Sequence, residues 1–411
     1  MIAAAITVVL AGQFGGSAWD HALVDGDKVH LFLPPVVVSE GRLHGYQWSE
    51  DGRYLLAVTE SFSVSPQEVK RYFETGTQAT PKPTITLDVF NSATGSVKTL
   101  WRAEGRSAVT SSIFYFAKSD VAVAQIRFQG ESLLLRVTAG TSRVETIESI
   151  EGRPTQLPSI LPDPFGKFIA SQTFDPPTVR FIGQQGRVLP RRPLEIPNHG
   201  TWTKQGSYVI GRTADSFYVI DPLAGESRIE NGKPDYHFLK DPPKSFAVSQ
   251  SNMPIPGRKK PVPIVLATAH GKSVGVAFDA ARRAASDKGV LFSTGAVNLV
   301  RPVIQISKTA FEEIVAKEER AEIMAKLSQL GKALMMFASD NDDAFPTQEQ
   351  LDNRGIDGYL GDPSLLNGFV YHGRTAMGAS PARTEAGFML CPGGRAVLYQ
   401  DGHVVFVPDR S

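Results

Sequence analysis

The sequence predicts a mostly β chain that ends in a separate α+β domain, and three observations carry that expectation. A short motif recurs between Trp48 and Phe278, mostly at a spacing near 40 residues. Near Ser307 the apolar period changes from strand-like to helical. The chain then closes on two alternating apolar runs around Gln400, Asp401 and Gly402.

The recurring motif is an aromatic or apolar residue, a polar turn and a β-rich run. It reads Trp48-Ser-Glu-Asp-Gly-Arg-Tyr-Leu-Leu-Ala-Val58 first, with copies at Phe116–Ala124, Leu161–Ala170 and Trp202–Ile210. Two weaker copies begin near Phe238 and Phe278, so that from Phe116 the separations are 45, 41, 36 and 40 residues. A period near 40 with several strands per unit is the signature of a β-propeller blade, because no single unit can bury both of its faces. Six blades, or seven, are expected over 19–306. Glycine in the turn supplies the positive φ of a tight reversal. Thr86–Gly95 and Tyr218–Gly225 read as outer hairpins of two units.

The first separation, Trp48 to Phe116, is 68 residues. The excess falls in Ser61–Pro83, where Pro66–Glu74 reads as one or two helical turns begun by proline. Such insertions sit on one face of a propeller, where loops often carry binding; a loop without a binding role is the alternative. The Trp-Ser-x-Asp-Gly-Arg-Tyr turn at Trp48 and its copies resemble the repeats of TolB-like propellers.

From Thr309 the pattern is helical. Thr309-Ala-Phe-Glu312 has the form of a capping box, and Phe311, Ile314, Leu327, Leu330, Leu334 and Phe337 recur at helical spacing. Glu313 with Lys317 and Glu322 with Lys326 are i,i+4 pairs, and the helix is expected to end near Ala338. Two segments here resemble bacterial type IV pilin-like, or pseudopilin-like, proteins: the helix end running through Asp340-Asn-Asp-Asp-Ala-Phe-Pro346, and the Cys391-Pro…Tyr399-Gln-Asp-Gly-His-Val404 ending. The resemblance covers about 310–411 and implies a soluble pilin head. It departs from the family in lacking an apolar membrane half, since Glu312, Glu313, Lys317 and Arg320 charge the early helix.

Composition bounds the partners. Lys plus Arg number 43 against 42 Asp plus Glu, a net charge of +1, so nothing points to nucleic acid or an anionic membrane. The single cysteine, Cys391, excludes an internal disulfide framework and a cysteine zinc site. An apolar run at Ile2–Gly12 followed by Gly15-Gly-Ser-Ala18 leads us to expect an export signal at 1–18, although no Lys or Arg precedes Lys28. A buried first strand is the alternative. A periplasmic or extracellular location follows, with the cytoplasm as the alternative, and no transmembrane segment is expected in the mature chain.

Chemical motifs are sparse. Gly271-Lys-Ser-Val-Gly275 matches the nucleophile elbow of α/β-hydrolases, which needs a strand, a sharp turn and a helix around Ser273. The same residues also read as another blade. Asp340-Asn-Asp-Asp343 reads either as a helix end with Asx turns or as a Ca²⁺ site. The eight histidines show no paired metal-ligand spacing, and Arg191-Arg192 and Arg258-Lys-Lys260 read as solvated loops. No cofactor, metal or catalytic residue is assigned. The sequence therefore points to a non-enzymatic exported binding or scaffold protein that uses a propeller face for a protein or small ligand. The alternative is a serine hydrolase using Ser273.

Overall fold

The computed structural model describes residues 21–64, 66–76, 81–153, 156–184, 188–224, 226–236, 245–254, 260–373, 376, 378 and 380–409. The expected export signal at 1–18, the weak copy starting at Phe238, and Arg258 and Lys259 lie outside them. The described chain is mostly strands in many small antiparallel sheets, followed by a long helix and a hairpin. It divides into two compact units: residues 31–304, and residues 305–411 together with those up to His30.

Two short strands, β1 (Ala22–Asp25) and β2 (Lys28–Phe32), precede β3 (Val36–Glu40). The first sheet is β4 (Arg42–Trp48), β5 (Tyr54–Ser63), β6 (Lys82–Asn91) and β7 (Ser96–Glu104), with helix α1 (Pro66–Thr75) between β5 and β6. The second is β8 (Ala108–Tyr115), β9 (Val121–Phe128), β10 (Glu131–Thr138) and β11 (Arg143–Glu151). The third runs β12 (Ser159–Pro162), β13 (Phe168–Phe174), β14 (Pro177–Gly183) and β15 (Arg192–Pro193). The fourth is β16 (Gly200–Trp202), β17 (Tyr208–Thr213), β18 (Ser216–Ile220) and β19 (Ser227–Asn231). A three-stranded sheet follows, β20 (Ala247–Met253), β21 (Val262–Ala269) and β22 (Lys272–Phe278). The last combines β23 (Ala281–Ser286), β24 (Gly289–Ser293) and β25 (Val297–Ser307) with β3 from the chain start, Val297 facing Glu40 and Val300 facing Val36.

The motif copies fold alike. The backbone N–H of Ser49 donates to the Tyr54 carbonyl at 2.8 Å, Phe116 to Val121 at 3.0 Å, Asp163 to Phe168 at 2.9 Å and Thr203 to Ser207 at 2.9 Å. Three of these turns place glycine at positive φ, Gly52 (67°), Gly166 (62°) and Gly206 (87°), where other residues are strained. The copy expected from Phe278 is not of this kind. Phe278 ends β22, and the first turn of the last sheet lies instead at Asp287-Lys288, between β23 and β24.

Strands buried on both faces explain the near-continuous apolar runs. On β5, Leu55 and Ala57 pack with Leu291 and Val300 of the last sheet. The intervening Leu56 and Val58 pack with Ala124, Ile126 and Leu135 of the second. Val123 and Leu134 meet Ile160 and Ile182 of the third sheet, whose Val179 and Phe181 meet Trp202 and Tyr208 of the fourth. Arg301 of β25 is 6% exposed and donates to the carbonyls of Leu33 (3.0 Å), Gly275 (3.1 Å) and Val276 (2.9 Å). It thereby ties the chain start to the last two sheets.

The other unit is built on α2 (Lys308–Asp340), with α3 (Gln348–Asp352) and a sheet of β26 (Phe369–Tyr371), β27 (Glu385–Cys391), β28 (Gly394–Tyr399) and β29 (Val404–Pro408). Its cap is Ser307, whose hydroxyl accepts from the Ala310 amide at 3.2 Å. Thr309, the expected cap, is already inside the helix because Ser307 keeps the extended backbone of β25 (φ −70°, ψ 153°). The Glu322–Lys326 pair is present at 3.0 Å, and Lys308 reaches Glu312 at 3.9 Å. Leu327, Leu330, Leu334 and Phe337 bury one stripe of α2 against Ala386, Met389, Ala396 and Leu398 of the sheet. Gly331 lets the sheet come close: a Cβ there would sit 2.8 Å from Leu398 Cδ1 and 3.1 Å from the Gly402 carbonyl oxygen.

The closing hairpin is present, β28 pairing with β29. Of the Asp-Gly pair only Gly402 has positive φ (85°), so the turn is not type I′, which needs both. The loop is wider and is closed by Tyr399 N–H to His403 O at 3.0 Å and Gly402 N–H to Tyr399 O at 2.9 Å.

Candidate functional site

Among the described residues of 31–304, the insertion of the first sheet carries the most exposed large apolar side chain, Phe73. Strands β5 and β6 pair without a break from Tyr54 opposite Asn91 to Ser63 opposite Lys82, and α1 is carried beyond their end. Apart from Glu68, every side chain described in α1 is exposed. Val69, Tyr72 and Phe73 are 41%, 49% and 80% exposed, and Phe62 at the base of the excursion is 59% exposed. The Tyr72 and Phe73 rings meet edge to face at 5.7 Å, and Lys70 lies 3.6 Å from Glu74.

The stalk beneath is held by buried polar groups. A register shift between Leu43 and Gly45 leaves His44 as the extra residue of a bulge on β4. Its Nε2 meets Glu60 Oε2 at 3.0 Å, and both side chains are 4% exposed. On the neighbouring positions Thr86 donates to Asp88 Oδ2 at 2.7 Å, Thr99 donates to Asp88 Oδ1 at 2.5 Å, and Thr59 and Thr86 share a bond of 2.9 Å. Burial pushes the Asp88 carboxyl above its usual value, against the three threonine hydroxyls that favour the anion. These groups are not legible in the residues alone, since a bulge leaves no local signature.

The motifs with chemical readings are scattered. Ser273 stands on β22 opposite Thr268 of β21, and the two hydroxyls are 2.9 Å apart. His270 (φ 47°) and Gly271 (φ 76°) make the turn between these strands, and where the elbow needs a helix after Ser273 the chain continues along β22 and into strand β23. The elbow reading is thereby corrected: a two-residue hairpin turn, not a strand-to-helix turn, precedes Ser273. Around Asp340–Asp343, Asn341 Nδ2 donates to the Phe337 carbonyl at 2.8 Å, and Asp342 and Asp343 take φ of 56° and 60°. Histidines 44, 199, 372 and 403 each pair locally, with Glu60, Phe174, Phe388 and Tyr399. Among the described residues no cluster of His, Cys, Asp and Glu fits a metal ion.

Arg191 is not the solvated loop residue expected. Its guanidinium forks onto Glu148 of β11 at 2.8 and 2.6 Å and reaches the Ser171 carbonyl at 3.2 Å, clamping the second sheet to the third. A cavity of about 120 Å³ opens between the third and fourth sheets, lined by Val179, Leu194, Ile210, Ile220 and Tyr218, whose hydroxyl donates to Glu195. Typical small-molecule pockets hold roughly 300–1,000 Å³, so this one suits a single side chain better than a whole ligand.

No protein-family model matches the chain, and no curated protein matches it. Among solved structures it is similar to dipeptidyl peptidase 4 of Porphyromonas gingivalis, with 11% identity over 63% of this chain and 44% of that one, and a TM-score of 0.32. The β-propeller domain of the Trilobed protease from Pyrococcus furiosus matches with 12% identity over 66% of this chain and 84% of that one, TM-score 0.29. The periplasmic gluconolactonase of Pseudomonas aeruginosa matches with 12% identity over 64% and 88%, TM-score 0.26. The match thus spans less than half the length of the peptidase. One expectation is corrected by these findings: two of the matched proteins are enzymes by name, against the reading of this chain as a non-enzyme. Likeness at this level assigns no activity to the chain. Among the described residues no helix is long and apolar enough to cross a membrane.

Proposed function

We propose that residues 31–304 form a six-bladed β-propeller that recognises a protein partner, with the excursion on the first blade as the contact surface. Support for the six blades comes from the successive antiparallel sheets of this unit and from β3, which pairs with β25 of the last one. The observation that carries the recognition role is the exposed apolar stripe of α1, because the largest exposed apolar patch of a monomer is often functional. Residues 307–411 form, in the same proposal, a pilin-head-like domain that travels with the propeller. Export through 1–18 belongs to it too, and the intact mass of the secreted protein tests that part.

The test replaces 64–81 in the full chain by an Asn-Gly turn, which closes β5 onto β6 directly. The expected result is an unchanged melting temperature together with loss of partner retention from a host extract. Undiminished retention overturns the assignment.

A further inference from the structure

Independently of the excursion, we propose that the cleft between the second and third sheets binds a doubly charged tetrahedral oxyanion, a phosphate ion or the phosphoryl group of a small phosphomonoester. Alternation along the strands sets its lining. Gln125 and Arg127 of β9 share the face of Val123 and Leu134, which pack against Ile160 and Ile182 of the third sheet. Ser171 and Arg180 are register partners on β13 and β14 and share the face of Ile182. Hydrogen bonds and ion pairs cross the same cleft. Gln125 Nε2 and Arg127 Nη2 both donate to the Pro158 carbonyl just before β12, the first at 2.5 Å. Arg180 and Arg191 reach back to Glu148 of β11, at 3.3 and 2.6 Å.

Positive charge is what this cleft has in excess. Arg127, Arg180 and Arg191 share one carboxylate at ion-pair distance among the described residues, Glu148, so two positive charges have no counterpart. The third sheet does not supply one: from Gly152 to Leu194 the acidic residues are Asp163 and Asp175. Asp163 accepts from the amides of Lys167 and Phe168 at the other end of the sheet, and Asp175 lies exposed in the turn from β13 to β14. The Nε–H groups of Arg127 and Arg180 are buried without a hydrogen-bond partner. Burial also pushes the Arg127 guanidinium below its usual value. A desolvated cation is costly until an anion joins it.

The chemistry of these groups selects the anion. Solvent reaches the site, since the Arg180 and Arg191 side chains keep 19% and 17% of their surface exposed. Guanidinium forks match the oxygens of carboxylate and phosphate. A monocarboxylate leaves one charge unmatched, whereas a phosphomonoester carries about −1.5 to −2 at pH 7 on three oxygens. The rest of the interface is packed with Val123, Leu134, Ile160 and Ile182, which confines the charge to one compact group rather than two separated carboxylates.

The test is isothermal titration of the full chain with inorganic phosphate, O-phosphoserine and succinate, alongside Arg127→Met and Arg180→Met. With methionine at 127, Gln125 still donates to the Pro158 carbonyl and a surplus cation is gone. The ligand-free melting temperature of Arg127→Met is therefore expected to hold or rise. The expected result is one site per chain that takes millimolar phosphate or phosphoserine in preference to succinate and weakens about tenfold or more in both variants. Tighter phosphoserine assigns a phosphomonoester and tighter phosphate the free ion; either order supports the site. Lys70→Ala with Arg71→Ala, far along the sequence on α1, should bind as the parent does. No saturable heat from either phosphorus ligand overturns the proposal, as does succinate binding as tightly. Binding indifferent to Arg127→Met overturns it too, most plainly if that variant melts early, since Arg127 is then a structural strut. Should Arg127→Met not fold, Arg127→Lys and Arg180→Met carry the test, and an affinity untouched in both sinks the assignment.

Discussion

Helices α1 and α2 carry the same kind of apolar stripe and meet opposite fates. In α2, Leu327, Leu330, Leu334 and Phe337 lie under a four-stranded sheet, and Phe337 keeps 6% of its surface. In α1, Val69, Tyr72 and Phe73 lie in solvent, and Phe73 keeps 80%. Helical spacing therefore tells which face is apolar and leaves open what covers it. Where the chain covers the stripe itself, the residues stabilise a fold; where it does not, they are available to another molecule.

The widest gap between the two helices is expected in truncation. Phe337→Ala should cost its unit about 3–5 kcal/mol through lost burial and a cavity, whereas Phe73→Ala should stay within about 0.5 kcal/mol. Urea unfolding followed by hydrogen exchange in each unit measures both, and a comparable loss at Phe73 breaks the comparison. Next comes Gly331→Ala. Alanine is the better helix former by about 1 kcal/mol, yet the contacts with Leu398 and the Gly402 carbonyl should turn the sum into a loss of about 1–3 kcal/mol. A gain in thermal stability would show that β28 and β29 can move away from α2.

The smallest effect separates the packed base of the excursion from its exposed tip. Burial raises the folded-state value of Asp88 above the usual 3.8, so the folded protein holds that proton more tightly than the unfolded chain. Stability should then fall as pH rises from about 3.8 through the raised value, the reverse of a salt-bridged carboxylate. Asp88→Asn should flatten this slope in chemical unfolding at a series of pH values, while Glu74→Gln at the tip should leave it alone. A slope unchanged by Asp88→Asn removes the buried anion as its cause.

Much of the fold is legible because it depends on local chemistry. Gly52, Gly166 and Gly206 mark turns that only positive φ permits, and Leu55-Leu56-Ala57-Val58 announces a strand with two covered faces. The helix at Pro66–Thr75 was readable from proline and from the excess length between copies. What the residues alone concealed depends on distant partners. Thr309 makes as good a cap as Ser307, and only the end of β25 decides between them. Gly271-Lys-Ser-Val-Gly275 has the letters of an elbow, but the pairing of β21 with β22 makes it a hairpin. Arg191 looks like a loop cation until Glu148, from another sheet, arrives beside it.

The pairing of β3 with β25 also imposes an order in time. Residues 36–40 are synthesised early, yet the strand they join, Val297–Val300, is made far later. Until then β3 has no edge to complete, and the last sheet lacks this strand. Contacts so far apart in sequence slow folding and prolong the exposure of unpaired edges. A ribosome pausing before residue 297 would hold the chain in that open state, and a chaperone that shields strand edges would have its longest opportunity there.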